Sequence, residues 1–269
     1  MRTRITQIAI AVVLFMITSC EKVIEVDLRE ADPRIVIEGS INSGLGPYDV
    51  VISTSGGYFD SLGVKPVSDA TVFLYYGNGY WEQLFEKAPG VYRTDYTHGH
   101  EETNYTLEAE IDGVVYRAEE YLPKRVEIIK LEIEKSIFSD FGPGNLEVYD
   151  IHCTFEDPAD VKNYYRFFVY INGELRQPDF RPYDVTDDEL FNGLTYTTSF
   201  RRIEATSGDE IKIELQSTGV NTYEYFRTLN DALSRGVGST PYNPNTNLSN
   251  GALGYFGAYT ISTETIMVN

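Results

Sequence analysis

The chain has 269 residues, 41 acids against 22 lysines and arginines, and a formal charge of −19. So acidic a protein lacks the Lys/Arg surface that nucleic acid requires, and anionic headgroups repel it. An apolar share of 42%, with 21 tyrosines and one tryptophan, excludes wholesale disorder and favours strands.

Residues 1–19 read as a secretory leader. Arg2 and Arg4 form a basic head, and Ile8 to Met16 is an apolar run too short to span ~30 Å of hydrocarbon. The ending Ile17-Thr18-Ser19-Cys20 resembles a bacterial lipobox, which implies cleavage before Cys20 and acylation of its sulfur and amine. Acyl chains give durable attachment because each buried CH₂ contributes ~0.8 kcal/mol. Losing Arg2 and Arg4 with the leader takes the charge from −19 to −21. Residues 20–32 follow as a lipidated tether. Its acids Glu21, Glu25 and Asp27 are similar to the surface-export signal of some Bacteroidetes lipoproteins. Cys153 is the other cysteine of the chain, so after lipidation of Cys20 no intramolecular disulfide can form.

Residues 33–122 read as an antiparallel, immunoglobulin-like β-sandwich of seven short strands. Ile35–Glu38, Tyr48–Ile52, Val72–Tyr76, Tyr80–Phe85 and Val91–Thr94 carry apolar or alternating patterns separated by Gly, Pro and Asn turns. The clearest hairpin follows. Leu107, Ala109 and Ile111 alternate up to Asp112-Gly113, which suits a two-residue type I′ turn and pairs them with Ala118, Tyr116 and Val114. The boundary falls at Leu122-Pro123.

Residues 123–269 form a second β-rich domain with one amphipathic helix. Val126 and Ile128 are out of phase with Ile129, Leu131 and Ile133, the slip a β-bulge produces. Gly142-Pro143-Gly144 breaks the chain before the strand of Tyr149–Phe155. Asn163–Ile171 is aromatic on both faces and ends at the turn signal Asn172-Gly173; packing under the helix is the favoured reading for its second face. Asp187–Phe191 suggests a helical turn. Tyr196–Arg202 and Glu210–Leu215 are further strands. The helix spans about residues 221–235, with Asn221 and Glu224 as a capping box, Tyr225, Leu229, Ala232 and Leu233 inward, and Gly236 as its stop. The Asn/Gly/Pro-rich stretch 236–254 precedes a strand at Tyr255–Ile261 and another at Thr263–Val268.

Taken together, Cys20-Glu21-Lys22, Pro33-Arg34-Ile35-Val36-Ile37-Glu38-Gly39 and Asn243-Pro244…Asn247…Asn250-Gly251-Ala252-Leu253-Gly254-Tyr255-Phe256-Gly257-Ala258 resemble one family of Bacteroidetes lipoproteins, domain of unknown function 4249. That family usually has two glycines where this chain has Gly251-Ala252. The resemblance implies a partnership with a TonB-dependent outer-membrane receptor, whose gene is typically adjacent, and an accessory role in binding or uptake. It supplies no catalytic residues.

Local constellations are few. His98 and His100, with Glu101 and Glu102, are weak metal candidates; solvated tip residues are the blander reading. His152 and Cys153 are strand neighbours pointing to opposite faces, so they form no dyad, and Cys153 reads as core. Asp184, Asp187, Asp188 and Glu189 lack the alternation and glycine of an EF-hand loop. Tyr242, Asn243, Asn247, Tyr255 and Phe256, around the long loop, are candidates to stack on a ligand or dock on a barrel; buried anchors are the alternative. The expected function is a non-enzymatic outer-membrane lipoprotein without cofactors, on either face of that membrane. It would capture a small ligand for, or act as a lid on, a TonB-dependent receptor. An adhesive or structural surface module is the first alternative, and a carboxylate-based hydrolase the second.

Overall fold

Period-two alternation of apolar and polar residues sets most of the architecture. The computed structural model describes residues 32–56, 64–137, 147–176, 184–234 and 242–269. The leader, Cys20, the tether up to residue 31, the Gly142-Pro143-Gly144 break and Gly236 lie outside them. The first half carries β1 (Ile35–Asn42), β2 (Asp49–Thr54), β3 (Lys65–Pro66), β4 (Thr71–Tyr76), β5 (Tyr80–Ala88), β6 (Val91–Arg93), β7 (Thr103–Ile111) and β8 (Val114–Leu122). The second carries β9 (Ile128–Lys135), β10 (Glu147–Glu156), β11 (Tyr164–Ile171), β12 (Glu174–Leu175), β13 (Asp184–Asp187), β14 (Thr195–Ala205) and β15 (Glu210–Thr218). Helix α1 (Val220–Leu233) and β16 (Leu253–Met267) complete it. The chain is mainly β, with one helix among the described residues.

The β7–β8 hairpin has the register its side chains dictate. Leu107 faces Ala118, Ala109 faces Tyr116 and Ile111 faces Val114. Asp112 and Gly113 take φ of 49° and 78°, the left-handed pair that a type I′ turn requires. The bulge in β9 is also present. Phe155 faces Ile128 while Thr154 faces Lys130, so Ile129 is the extra residue and lies 57% exposed. Asn172 and Gly173, both at positive φ, turn β11 into β12.

One long sheet runs β12-β11-β15-β16-β1-β2-β6-β5-β4-β7-β8, and a three-stranded sheet runs β14-β10-β9. Strand β16 is the spine. Its first half lies parallel to β1, from Val36 opposite Leu253 to Asn42 opposite Tyr259. Its second half lies antiparallel to β15, from Thr218 opposite Tyr259 to Glu210 opposite Met267. The two strands expected at 255–261 and 263–268 are therefore one. Residues 33–269 fold as one compact unit around two hydrophobic clusters. The first unites residues 37–122 with Leu248, Ala252, Phe256 and Ala258; the second spans residues 126–215 and Val268. Strand β16 contributes Phe256 and Ala258 to the first cluster and packs Ile266 against the second.

Two local expectations are corrected. Asp187–Phe191 forms no helical turn: β13 runs to Asp187, and the Phe191 N–H then bonds Asp188 O in a tight turn. Helix α1 starts at Val220, with extended Gly219 at its N-cap and no side-chain cap from Asn221. Glu224 bonds Arg227 at 2.7 Å instead of closing a capping box. The buried residues of α1 are Thr222, Phe226, Thr228 and Asn230, while Leu233 is 58% exposed. The helix lies close on β16. A Cβ at Gly257 would stand 2.9 Å from the Thr222 hydroxyl.

Candidate functional site

Strand β8 ends the long sheet, so its outer backbone groups need partners other than a strand. The Asn-rich stretch supplies them at every second residue, because alternate residues of an antiparallel strand point their backbone groups to the same edge. Asn250 Nδ2 donates to Val115 O at 2.7 Å. The Ser249 N–H donates to Arg117 O at 2.9 Å, and the Arg117 N–H returns to Ser249 Oγ at 2.8 Å. Asn247 Nδ2 donates to Glu119 O at 3.1 Å and to Phe256 O at 2.9 Å, while its Oδ1 accepts the Phe256 N–H at 3.1 Å. Asn247 thus stitches β8 to β16. Arg34 anchors the far end by donating Nε to Gly251 O at 2.9 Å. The Ala252 methyl is buried in the first cluster, so a side chain is accommodated where a glycine was expected.

Beneath this seam is a residue that the sequence reading passed over. Glu120 is 3% exposed. One carboxylate oxygen accepts the Thr222 N–H at 2.7 Å and the Thr222 hydroxyl at 3.0 Å; the other accepts the Tyr121 N–H at 3.0 Å. Asn221 Nδ2 lies 3.5 Å from it and donates to Glu119 O at 3.0 Å. A carboxylate from β8 therefore satisfies N-terminal donors of α1 that no local cap satisfies. Burial pushes the Glu120 carboxyl up to about 7, against the hydrogen bonds from Thr222, Tyr121 and Asn221 that hold it down. A Cβ at Gly219 would overlap this carboxylate, which explains glycine at the helix start.

The helix then covers the second face of β11, as the favoured reading has it. Tyr164 packs on Tyr223 with centroids 4.9 Å apart, and the Arg166 guanidinium lies 3.6 Å from the Phe226 centroid. Tyr255 stacks on Tyr225 at 4.5 Å and meets Phe226 edge-on at 5.0 Å. Tyr242 donates its hydroxyl to Thr228 O at 3.2 Å, and Thr228 Oγ1 accepts the Asn245 N–H at 2.9 Å. The five loop candidates thus gather at one seam in different roles. Phe256 is fully buried, Tyr255 half-buried, Asn247 a backbone bridge, Tyr242 37% exposed and Asn243 exposed.

The other constellations are placed as follows. His98 and His100 are exposed; His98 Nδ1 lies 2.9 Å from Leu45 O. Among the described residues no three His, Cys, Asp or Glu side chains converge to hold a metal. Asp188 accepts the Asn163 N–H at 2.7 Å and Asp187 lies 3.6 Å from Lys162. Asp188 and Glu189, with Asp160 and Lys162, border an open recess of about 330 Å3. Cys153 is fully buried, and burial pushes its thiol up to about 12. On the opposite face His152 Nδ1 lies 2.8 Å from Ser199 Oγ and Nε2 3.1 Å from Glu134 Oε1. These are the residue types of a hydrolytic triad, but the Glu134 side chain is 66% exposed and that of His152 27%. Water therefore reaches the row, and the low-dielectric enclosure that strengthens catalytic electrostatics is missing.

These features define a mainly β protein whose two hydrophobic clusters share one long strand and whose free sheet edge is sealed by an Asn-rich loop over a buried acid. The chain belongs to the family described as Domain of unknown function (DUF4249), whose model matches residues 21–265. No curated protein is similar to it at a significant level.

Proposed function

We propose that the chain is an exported lipoprotein, anchored in the outer membrane through Cys20, that serves a TonB-dependent receptor as a non-enzymatic, ligand-capturing or lid-like accessory. The observation that carries the reading is the lipobox-like Ile17-Thr18-Ser19-Cys20, with a family match that begins at Glu21, the next residue. A tether and an anchor fit the body that follows. Its one cysteine after the proposed anchor, Cys153, is a buried core residue. The immunoglobulin-like character of residues 33–122 is part of this proposal. The observed order adds β16 as a parallel partner of β1.

The anchor is tested by labelling cells with a radioactive or alkyne-bearing palmitate and fractionating them. Wild-type chain should carry label and sediment with outer membranes. Cys20→Ala should carry none and leave that fraction. Equal label in both would contradict the anchor.

One observation favours an adhesive module as a second reading. Strand β14, eleven residues long, pairs with β10 alone among the described residues, which leaves an edge able to accept a partner strand.

A further inference from the structure

A cluster of partly and fully exposed aromatic side chains lies on the outer face of the β5-β4-β7-β8 sheet. Val72, Leu74, Leu84, Leu107 and Ala118 point inward there and are buried. Alternation therefore turns Phe73, Tyr75, Trp81 and Phe85 outward. Trp81 is 60% exposed and Phe85 53%. The rings touch: Phe73 and Trp81 have centroids 5.7 Å apart at 70°, and Phe73 and Tyr75 6.1 Å apart at 37°. Exposed clusters of this kind mark interaction sites, because water gains by their covering.

Cross-strand register divides the face into an aromatic half and a polar half. One row reads Trp81, Tyr75, Thr106, Glu119; the next reads Gln83, Phe73, Glu108, Arg117. The charges in the polar half are largely paired with each other. Arg117 lies 2.9 Å from Glu108 and 2.8 Å from Glu119. Burial, and then the Glu108 carboxylate beside it, hold the Tyr75 phenol above its ordinary range, so it stays a neutral donor. A charge of −19 repels polyanions.

The geometry points to this face as a binding platform for neutral polysaccharide, a pyranose C–H face lying against Trp81, which Phe73 props edge-to-face, and hydroxyls meeting Gln83, Thr106, Glu108 and Arg117. A pyranose ring matches the division. Its C–H bonds present slight positive charge to the negative ring face, and its hydroxyl rim finds amide, hydroxyl and carboxylate partners in the polar half. Anionic ligands gain less, since Glu108 and Glu119 outnumber Arg117 on this face. This gives a substrate class to the ligand-capturing half of the proposed function. The test involves no receptor, so the two can fail separately.

Trp81 is the only tryptophan, so its fluorescence reports this face alone. The full chain in detergent is titrated with hydroxyethylcellulose, dextran and galactomannan, with heparin and an octa-arginine peptide as charged arms. Electrophoretic retardation in gels containing each neutral polymer measures affinity for variants. The expected result is a fluorescence change and retardation with at least one neutral polymer, weakened at least about tenfold by Trp81→Ala. Trp81→Phe should retain most of the affinity, and Leu190→Ala, 92% exposed elsewhere, should retain all of it. Unchanged circular dichroism shows that the variants fold. The inference is overturned if none of the three neutral polymers binds, or if Trp81→Ala binds as wild type. A response to octa-arginine alone overturns it too, in favour of a basic protein partner.

Discussion

A carboxylate placed between Ala118 and Leu122 in the inward phase of β8 must either lose its charge or find donors. Glu120 does some of each. Thr222 and Tyr121 supply donors, and desolvation still raises its pKa to about 7 from the ordinary 4.5. The linkage sign follows: the folded state holds this proton more tightly than the unfolded chain. The contribution of Glu120 to stability is therefore greatest below pH 4.5 and falls as pH rises to about 7, by on the order of 3 kcal/mol. Glu120→Gln removes the titration and keeps an acceptor. Chemical denaturation at pH 5 and pH 8 should show wild type losing more stability than Glu120→Gln over that range. Equal losses would mean the carboxyl does not titrate there. Its burial was legible, because Glu120 shares the phase of Ala118 and Leu122, whereas its partner Thr222 lies 102 residues away. Among 41 acids, only that phase distinguished it.

Strand-local features were readable because a two-residue period leaves little freedom. The β7–β8 register and the β9 bulge follow from neighbouring side chains alone. What reading by periodicity missed is long-range. The parallel pairing of β1 with β16 joins Val36 to Leu253, and nothing local to either strand announces it. The apolar stripe through Leu229 and Leu233 predicts the helix, yet its buried residues include Thr222, Thr228 and Asn230. Its inner face is partly polar because it meets the Glu120 carboxylate and the backbone of the 242–247 stretch. Tyr242, Asn247, Tyr255 and Phe256 stand out by their place in and around the long loop, but their roles as anchors depend on the seam, which no local pattern announces. Asn247→Ala should cost about 1–3 kcal/mol, since it leaves backbone groups of Glu119 and Phe256 unpaired. Thermal unfolding checks this. A melting temperature unchanged from wild type would show that water replaces the side chain without loss.

At the level of the molecule, β16 joins two hydrophobic clusters in one compact unit, and the lipobox-like sequence ahead of that unit is the proposed means of attachment. The exposed aromatic face around Trp81, the proposed platform, stands on the sheet whose last edge, β8, is sealed by the Asn-rich seam. The proposed anchor and the proposed platform around Trp81 would together suit a protein that holds ligand close to a membrane receptor. The most direct measurement is purification of C-terminally tagged chain from its native membrane in mild detergent, followed by mass spectrometry. The account predicts a TonB-dependent receptor in near-equal amount with the wild-type chain. Recovery of the lipoprotein alone, under conditions that keep a known receptor–lipoprotein pair together, would contradict the partnership.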